Sequence, residues 1–281
     1  MNLIPIHDLA DPRLAPYANM RDAELAQRAD PRDEDAHGGL FIAEGELVVR
    51  RLLSSRFDLH SVLTTPTRLE SLRPDLESKA GNAPIFLAPP DLLNSIVGFN
   101  MHRGLLAIGR RGPDLSLADL LARPGPLIVL EDLTNHDNLG GIFRNAAALG
   151  GAGVGALLSP RCADPLYRKS LRVSMGCALA VPFARAANWP NDLGTLAAAG
   201  FEAWALTPHP DAEPLHTTQP ETRVALVLGT EGAGLTDAAM AACHRRVRIE
   251  MNRVDPIVDS LNVAMAAGIA LSWLAHRTKS K

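Results

Sequence analysis

Three cysteines in 281 residues leave little for covalent or metal-based scaffolding. Cys162, Cys177 and Cys243 form no CxxC pair and no even-numbered framework. That excludes a disulfide-stapled fold and a zinc site, and points to a reducing compartment. Aromatics make up only 4%, so a core has to be built from Ala, Leu, Val and Ile. No apolar run reaches the ~20 residues that a membrane-spanning helix needs. The longest, near Ala146 to Leu158 and Val263 to Ala275, are shorter, and glycine breaks the first. Met1 to Pro12 carries acids and prolines in place of an apolar leader, so a cytoplasmic protein is expected. A surplus of positive charge is missing too: 28 Lys and Arg stand against 31 Asp and Glu, a net charge of −3. Nucleic acid, if bound, must be held by local basic patches and not by the field of the whole molecule.

What is present is a chain with 47% hydrophobic and 21% charged residues, able to bury a proper core as one large domain or two ordinary ones. Residues 1–37 are polar and broken by prolines. They read as a loosely packed arm, with a short helix at Arg21 to Arg28. Residues 38–112 read as a small α/β unit. Its strands are near Leu40, at Leu59 to Thr65, Pro84 to Pro89 and Gly104 to Arg110. One helix places Leu47, Val48, Arg51 and Leu52 on one face, and another starts at Asp91. Residues 113–124 are a linker punctuated by proline and glycine.

From 125 to 281 strands and helices alternate. The expected strands are Leu127 to Glu131, Val154 to Leu158, Ala178 to Phe183, Ala203 to Thr207, Val224 to Gly229 and Val247 to Met251. The expected helices are Asn138 to Leu149, Leu166 to Met175, Leu193 to Ala199, Thr236 to Cys243 and Ser260 to Arg277. The strands are continuous apolar runs, as in a parallel sheet covered on both faces.

Ligands of open parallel sheets bind beyond the carboxyl ends of the strands. Three such ends carry unusual residues. EDLTNHDNLGGIFRNAAALG (Glu131 to Gly150) is a strand end, a polar turn and a helix that Asp137 or Asn138 can cap, ended by Gly150 and Gly151. Gly140, Arg144 and Ala148 share one helix face. An arginine there either pairs with a carboxylate elsewhere or faces something anionic. VALVLGTEGAGL (Val224 to Leu235) sets three glycines around Glu231, so its backbone can approach a ligand closely. VDSLNVAMAAGIAL (Val258 to Leu271) places Ser260 as a helix cap and Asn262 in the first turn, followed by small residues that let another helix pack close. Each stretch alone has an ordinary structural explanation.

Together, in this order and at these separations, the three stretches resemble the three motifs of the SpoU/TrmH family of RNA 2′-O-ribose methyltransferases, in the SPOUT superfamily. The resemblance covers about residues 125 to 276. FIAEGELVVRRLL and HRGLLAIGRR are similar to the ribosomal-protein-like RNA substrate-binding domain that often precedes this catalytic domain. The resemblance implies an α/β fold in two parts: that small substrate-binding domain, then a parallel-sheet catalytic domain tied in a trefoil knot, an exception to the general absence of knots. It implies S-adenosylmethionine as cofactor, tRNA or rRNA as substrate, and a homodimer. It implies catalytic roles for Asn138, Arg144, Glu231, Ser260 and Asn262. Cofactor contacts fall to Leu228, Gly229, Ile249 and Leu261, with Thr207 and Met251 beside them.

The chain departs from the family in carrying Ile249-Glu250-Met251 where Ile-Pro-Met is usual, and in a longer, acidic link from Asn252 to Asp259. RNA is expected at Arg103, Arg161, Arg168, Lys169 and Arg172, each of which read alone is ordinary surface charge. A guanidinium with a pKa above about 12 is a poor base, so Arg144 is expected to stabilise a developing alkoxide or clamp a phosphate.

Two rivals remain. Gly151 to Ala156 fits the dinucleotide pattern GxGxxA, but follows a helix and precedes a strand, the reverse of what that pattern needs. A non-catalytic RNA-binding or assembly factor could keep the fold, although the motif side chains are all present.

Overall fold

The computed structural model describes residues 1–18, 39–97, 104–255 and 257–278. The chain divides into two units: Met1–Asp114 with Leu166–Ala180, and Leu115–Pro165 with Val181–Lys281.

The first unit holds a five-stranded mixed sheet. Its strands are β1 (Asn2–Pro5), β2 (Leu40–Glu44), β3 (Leu59–Thr64), β4 (Pro84–Leu87) and β5 (Leu105–Arg110), in the order β1-β4-β3-β5-β2. Residues 1–18 correct the expectation of a loose arm. β1 pairs with β4 in parallel, and Ile6, Leu14 and Tyr17 are buried in the core beside Phe86 and Ile108. The polar composition hid them because these apolar residues are isolated ones separated by turns. Helix α1 (Glu46–Leu52) buries Val48, Val49 and Leu52; Leu47, expected on that face, is exposed. Two further helices follow, α2 (Pro66–Lys79) and α3 (Pro90–Val97). The expected helix at 21–28 and Arg103 lie outside the described residues.

In the second unit, helix α4 (Leu117–Leu121) opens on a capping box formed by Ser116 and Asp119. The expected parallel sheet follows. Its strands are β6 (Leu127–Leu130), β7 (Gly155–Leu158), β8 (Phe183–Arg185), β9 (Phe201–Leu206), β10 (Glu213–Pro214), β11 (Arg223–Leu228) and β12 (Arg245–Arg248). Their order is β10-β12-β9-β11-β6-β7-β8, and each neighbouring pair is parallel. β11 is thus inserted between β6 and β9, and because these strands are parallel the carboxyl ends of β12, β9, β11 and β6 stand side by side at one end of the sheet.

Helix α5 (His136–Leu149) follows β6; α6 (Arg168–Val173), which belongs to the first unit, follows β7. Then come α7 (Gly194–Ala198), α8 (Asp237–Ala241) and α9 (Val263–Thr278).

Several boundaries move. The strand expected at Ala178 to Phe183 begins only at Phe183; Cys177–Leu179 is a 3-10 turn, and Pro182, which has no N–H, precedes the ladder. β12 ends at Arg248, so Ile249 to Met251 leave the sheet. The cap of α5 is neither Asp137 nor Asn138 but Asn135, whose Oδ1 accepts the Asp137 N–H at 2.8 Å and the Asn138 N–H at 3.4 Å. α9 starts at Val263, not at Ser260. Asn262 Oδ1 does the capping, accepting from the Ala264 N–H at 3.0 Å and the Met265 N–H at 3.3 Å. Its Oδ1 can reach the first-turn amides that Ser260, two residues further out, leaves unpaired.

α5 and α9 pack closely because both present small residues. A Cβ on Gly141 would touch Ala264 Cβ at 3.0 Å, and one on Gly268 would meet the Asn145 amide at 3.0 Å. The Asn145 amide also donates to the Ala264 carbonyl at 2.7 Å, which fixes the register of the two helices.

Candidate active site

The loops after β9, β11 and β12 enclose a cavity of about 560 Å³, within the range of small-molecule sites. Its walls include Leu206, Leu228, Leu235, Met240, Ile249 and Leu261 on the apolar side, and Thr230, Glu231, Asp259, Ser260 and Asn262 on the polar side. Leu228, Gly229, Ile249, Leu261, Thr207 and Met251 all border it. So do Glu231, Ser260 and Asn262, whereas Asn138 and Arg144 do not. Glu250 answers the departure from the family's usual proline. Its side chain turns to His216, 2.5 Å away, and to Arg248, 3.8 Å away, while its neighbours Ile249 and Met251 keep facing the cavity.

The floor of one wall is the turn after β11. Thr230 and Gly234 exchange both backbone hydrogen bonds, each 3.1 Å. A Cβ on Gly229 would lie 2.2 Å from the Gly234 carbonyl carbon, so no other residue fits there without moving the turn. Gly232 and Gly234 adopt left-handed φ of 84° and 72°.

The first and third sequence motifs meet through one bond: Asn262 Nδ2 donates to Asn138 Oδ1 at 2.8 Å, across 124 residues. Asn138 is buried and has no hydrogen bond to Arg144 among the described residues. Six residues apart on a helix, the two point in directions about 120° apart and ~9 Å along the axis. Arg144 is exposed and makes no hydrogen bond or ion pair among the described residues, so the carboxylate partner weighed above is absent there. Glu231 is likewise exposed and has no bond to Arg144. Ser260 Oγ donates to Asp259 Oδ1 at 2.8 Å.

The expected RNA-binding cations are largely engaged. Arg161 forms an ion pair with Asp132, whose carboxyl is held below the usual range first by that guanidinium and further by the Ser159 hydroxyl. In the first unit Arg168 and Arg172 share one helix face, as their spacing implied. Both reach Glu44, at 3.9 and 3.3 Å. Lys169 is exposed on the same helix.

Sequence reasoning missed Glu131. Buried to 1% exposure, it accepts hydrogen bonds from Trp189 Nε1 at 2.7 Å, from the Thr236 N–H at 2.8 Å and from the Thr236 hydroxyl at 2.8 Å. The available signal was an acid directly after four apolar strand residues. GxGxxA, by contrast, is the turn into β7, at the opposite end of the sheet from the cavity. There a Cβ on Gly153 would meet the Gly125 nitrogen at 2.7 Å.

Comparison with known proteins decides the family. Residues 125–272 match the model of the SpoU rRNA Methylase family. The chain belongs to this family. An uncharacterized tRNA/rRNA methyltransferase of Mycobacterium bovis is 43% identical over 281 residues, covering 99% of this chain and 93% of that one. Among solved structures, the AdoMet-bound rRNA methyltransferase of Sinorhizobium meliloti superposes with a TM-score of 0.74 at 24% identity, covering 98% of each chain. An RNA 2′-O ribose methyltransferase superposes with a TM-score of 0.69 at 25% identity, covering 99% of this chain and 100% of that one. The family's chemistry is RNA methylation with S-adenosylmethionine. No helix among the described residues is long and apolar enough to cross a membrane, and no group of three or more His, Cys, Asp or Glu among them is placed to hold a metal ion.

Proposed function

We propose that this SpoU-family protein transfers a methyl group from S-adenosylmethionine to a ribose 2′-hydroxyl in a tRNA or rRNA. The observation that carries the proposal is the Asn262–Asn138 bond at the cavity rim, which joins the third motif to the first beside the glycine turn of the second. The cavity fits the cofactor. Apolar walls at Leu228, Ile249 and Leu261 suit an adenine ring, and Gly229, without a side chain, lets the turn beside them close on itself. Leu228, Gly229, Thr207, Ile249, Met251 and Leu261 would hold it, with Ser260 and Asn262 on its polar end. Bound there, the cofactor supplies a methyl group already activated on a sulfonium, so no metal is needed.

The protein's own work is then alignment and charge. Arg144, solvent-facing and without a partner among the described residues, is available to a substrate oxygen or phosphate. Its guanidinium would stabilise the oxygen as the 2′-hydroxyl loses its proton, an effect of order 10²–10³ in rate for one such donor. The Asn145–Ala264 and Asn138–Asn262 bonds would hold its helix steady, and Glu231 on the facing turn would accept a hydrogen bond from the substrate.

The proposal extends to a homodimer. Met265 and Ile269 lie one turn apart on α9 and are 66% and 44% exposed, an apolar stripe that a second copy would cover. It extends to the trefoil knot of the family. The return of α9 from β12 to pack on α5, past the inserted β11, supports that threading.

The test is transfer of labelled methyl from S-adenosylmethionine to cellular RNA, followed by alkaline hydrolysis. A 2′-O-methyl group blocks backbone cleavage, so the label should appear in alkali-resistant dinucleotides. Label in mononucleotides would mean base methylation. No label, with RNA still bound, would favour the non-catalytic assembly factor. Arg144→Ala should lower transfer at least 100-fold and leave cofactor affinity within about twofold. Near-full activity of Arg144→Lys would overturn the planar-fork role.

A further inference from the structure

Glu131 is a buried carboxylate that the proposed chemistry does not use. Among the described residues no cation is bonded to it; three hydrogen bonds satisfy it instead. Its backbone N–H donates to the Leu228 carbonyl at 2.8 Å, immediately before the glycine turn. Its carboxylate accepts both the N–H and the hydroxyl of Thr236, immediately after the turn. The seven residues between, Gly229 to Leu235, form a wall of the cavity. Residues 231–234 are exposed, so side-chain packing does not shape that stretch.

We infer that Glu131 is a positioning residue: it tethers both ends of the glycine turn and so sets the affinity for the methyl donor. The inference rests on reading the cavity as the donor site. Charge-assisted hydrogen bonds of a carboxylate are roughly twice as strong as neutral ones. They also impose direction, because Oε2 must face the Thr236 N–H. Thr236 is the cap of α8, its hydroxyl accepting from the Ala239 N–H at 3.2 Å, so the tether reaches the helix that closes the turn. Trp189 Nε1 donates to Oε1, the oxygen that also accepts the Thr236 hydroxyl, and so helps to fix the carboxylate's orientation.

The experiment compares wild type, Glu131→Gln, Thr236→Val and Thr236→Ser. Glu131→Gln sets an amide N–H against the Thr236 N–H or, with the amide turned over, against the Trp189 indole N–H. Thr236→Val removes the hydroxyl, and Thr236→Ser keeps it. S-adenosylmethionine binding is read by calorimetry, kcat and KM by methyl transfer, and turn dynamics by amide hydrogen exchange without cofactor. Expected are at least tenfold weaker binding in Glu131→Gln and Thr236→Val, with KM rising far more than kcat falls. Faster exchange over residues 230–234 should accompany it, and Thr236→Ser should recover most of both. Wild-type affinity and exchange in both disruptive variants would overturn the inference, as would a loss confined to kcat. If Glu131→Gln does not fold, Thr236→Val decides, because Thr236 is exposed. If wild type binds no S-adenosylmethionine, the methyl-transfer reading fails by itself, and the exchange rates still judge the tether.

Discussion

Adding one methyl group at Gly229 tests the cavity most severely. In Gly229→Ala the new Cβ would lie 2.2 Å from the Gly234 carbonyl carbon, 2.3 Å from its oxygen and 2.3 Å from the Leu235 nitrogen. Carbon atoms at rest sit about 3.5–4.0 Å apart, so the two sides of the turn must separate by roughly 1 Å or more. All three obstructing atoms are backbone, and no side-chain rotation can relieve them. Separation stretches the paired Thr230–Gly234 hydrogen bonds, now 3.1 Å each. Overpacking of this kind destabilises a protein by about 1–3 kcal/mol. Because residues 231–234 are exposed, the turn can swing outward while the sheet stays folded.

The larger consequence falls on the cofactor, since a ~1 Å misplacement of a binding wall is worth on the order of 10²-fold. Gly229→Ala is therefore expected to remain folded by circular dichroism, to lose about 1–3 kcal/mol in urea denaturation, and to bind S-adenosylmethionine on the order of 100-fold more weakly by calorimetry. Gly194→Ala is the control. That position has φ −64° with open space around its Cβ, so alanine should stabilise by about 0.4–1 kcal/mol and leave binding unchanged. Gly229→Ala binding the cofactor within threefold of wild type would refute both the clash and the role given to this turn.

Three further outcomes are expected. Asn262→Ala removes the cap of α9 and the bond to Asn138, which should cost about 1–2 kcal/mol in urea denaturation. Asn262→Ser, with a capping oxygen but no amide donor, should recover part of it, and equal stability of all three proteins would contradict the capping assignment. Burial, with the Glu131 charge adding to it, pushes the Cys243 thiol up to about 12. At pH 8 its thiolate fraction is then ~10⁻⁴, so alkylation followed by mass spectrometry should run on the order of 10³-fold slower than in unfolded protein; a rate within tenfold would argue against the burial. Asp132→Asn tests the ion pair with Arg161 without backbone penalty, because Asp132 has φ 51° and asparagine tolerates the left-handed region. A carboxyl whose folded pKa is depressed stabilises above its unfolded pKa, and that stabilisation is lost as pH falls through the folded value. The wild type should therefore exceed the variant by about 0.5–1 kcal/mol at pH 7, and the gap should close in acid; a gap that widens in acid would be the wrong sign.

The sequence made the parallel sheet legible because its buried strands, such as Leu127–Leu130 and Val224 to Leu228, are continuous apolar runs. β1 escaped notice because an edge strand of four residues with polar neighbours has no periodicity to detect. β10, two residues long, left no signal at all. Cap positions were misplaced for a local reason: around α9 both Ser260 and Asn262 carry capping chemistry, and only the helix start, set by packing of Ala264, Ala267 and Ala270, chooses between them. Around α5 the same ambiguity spans Asn135, Asp137 and Asn138. The motif residues were found because their types are unusual for their places. Glu131 was not, since its purpose resides in Thr236, 105 residues further on.

That distance explains why such a site is built from separated stretches. In a sheet wound strictly in chain order, the ends of β6 and β11 would stand apart, and no single residue could reach both flanks of the glycine turn. Insertion of β11 beside β6 puts the Leu228 carbonyl opposite the Glu131 N–H, and the turn leaving β11 then falls within reach of the same side chain. The packing of α5 on α9 follows from the same crossing. It brings Asn138 to Asn262, and it needs the small residues Gly141, Ala264 and Gly268 to let the two backbones approach. The small-residue stripe of α9, the glycine at 229 and the buried acid at 131 are thus three requirements of one topology. A variant that relaxes any one of them should disturb the cavity before it disturbs the sheet.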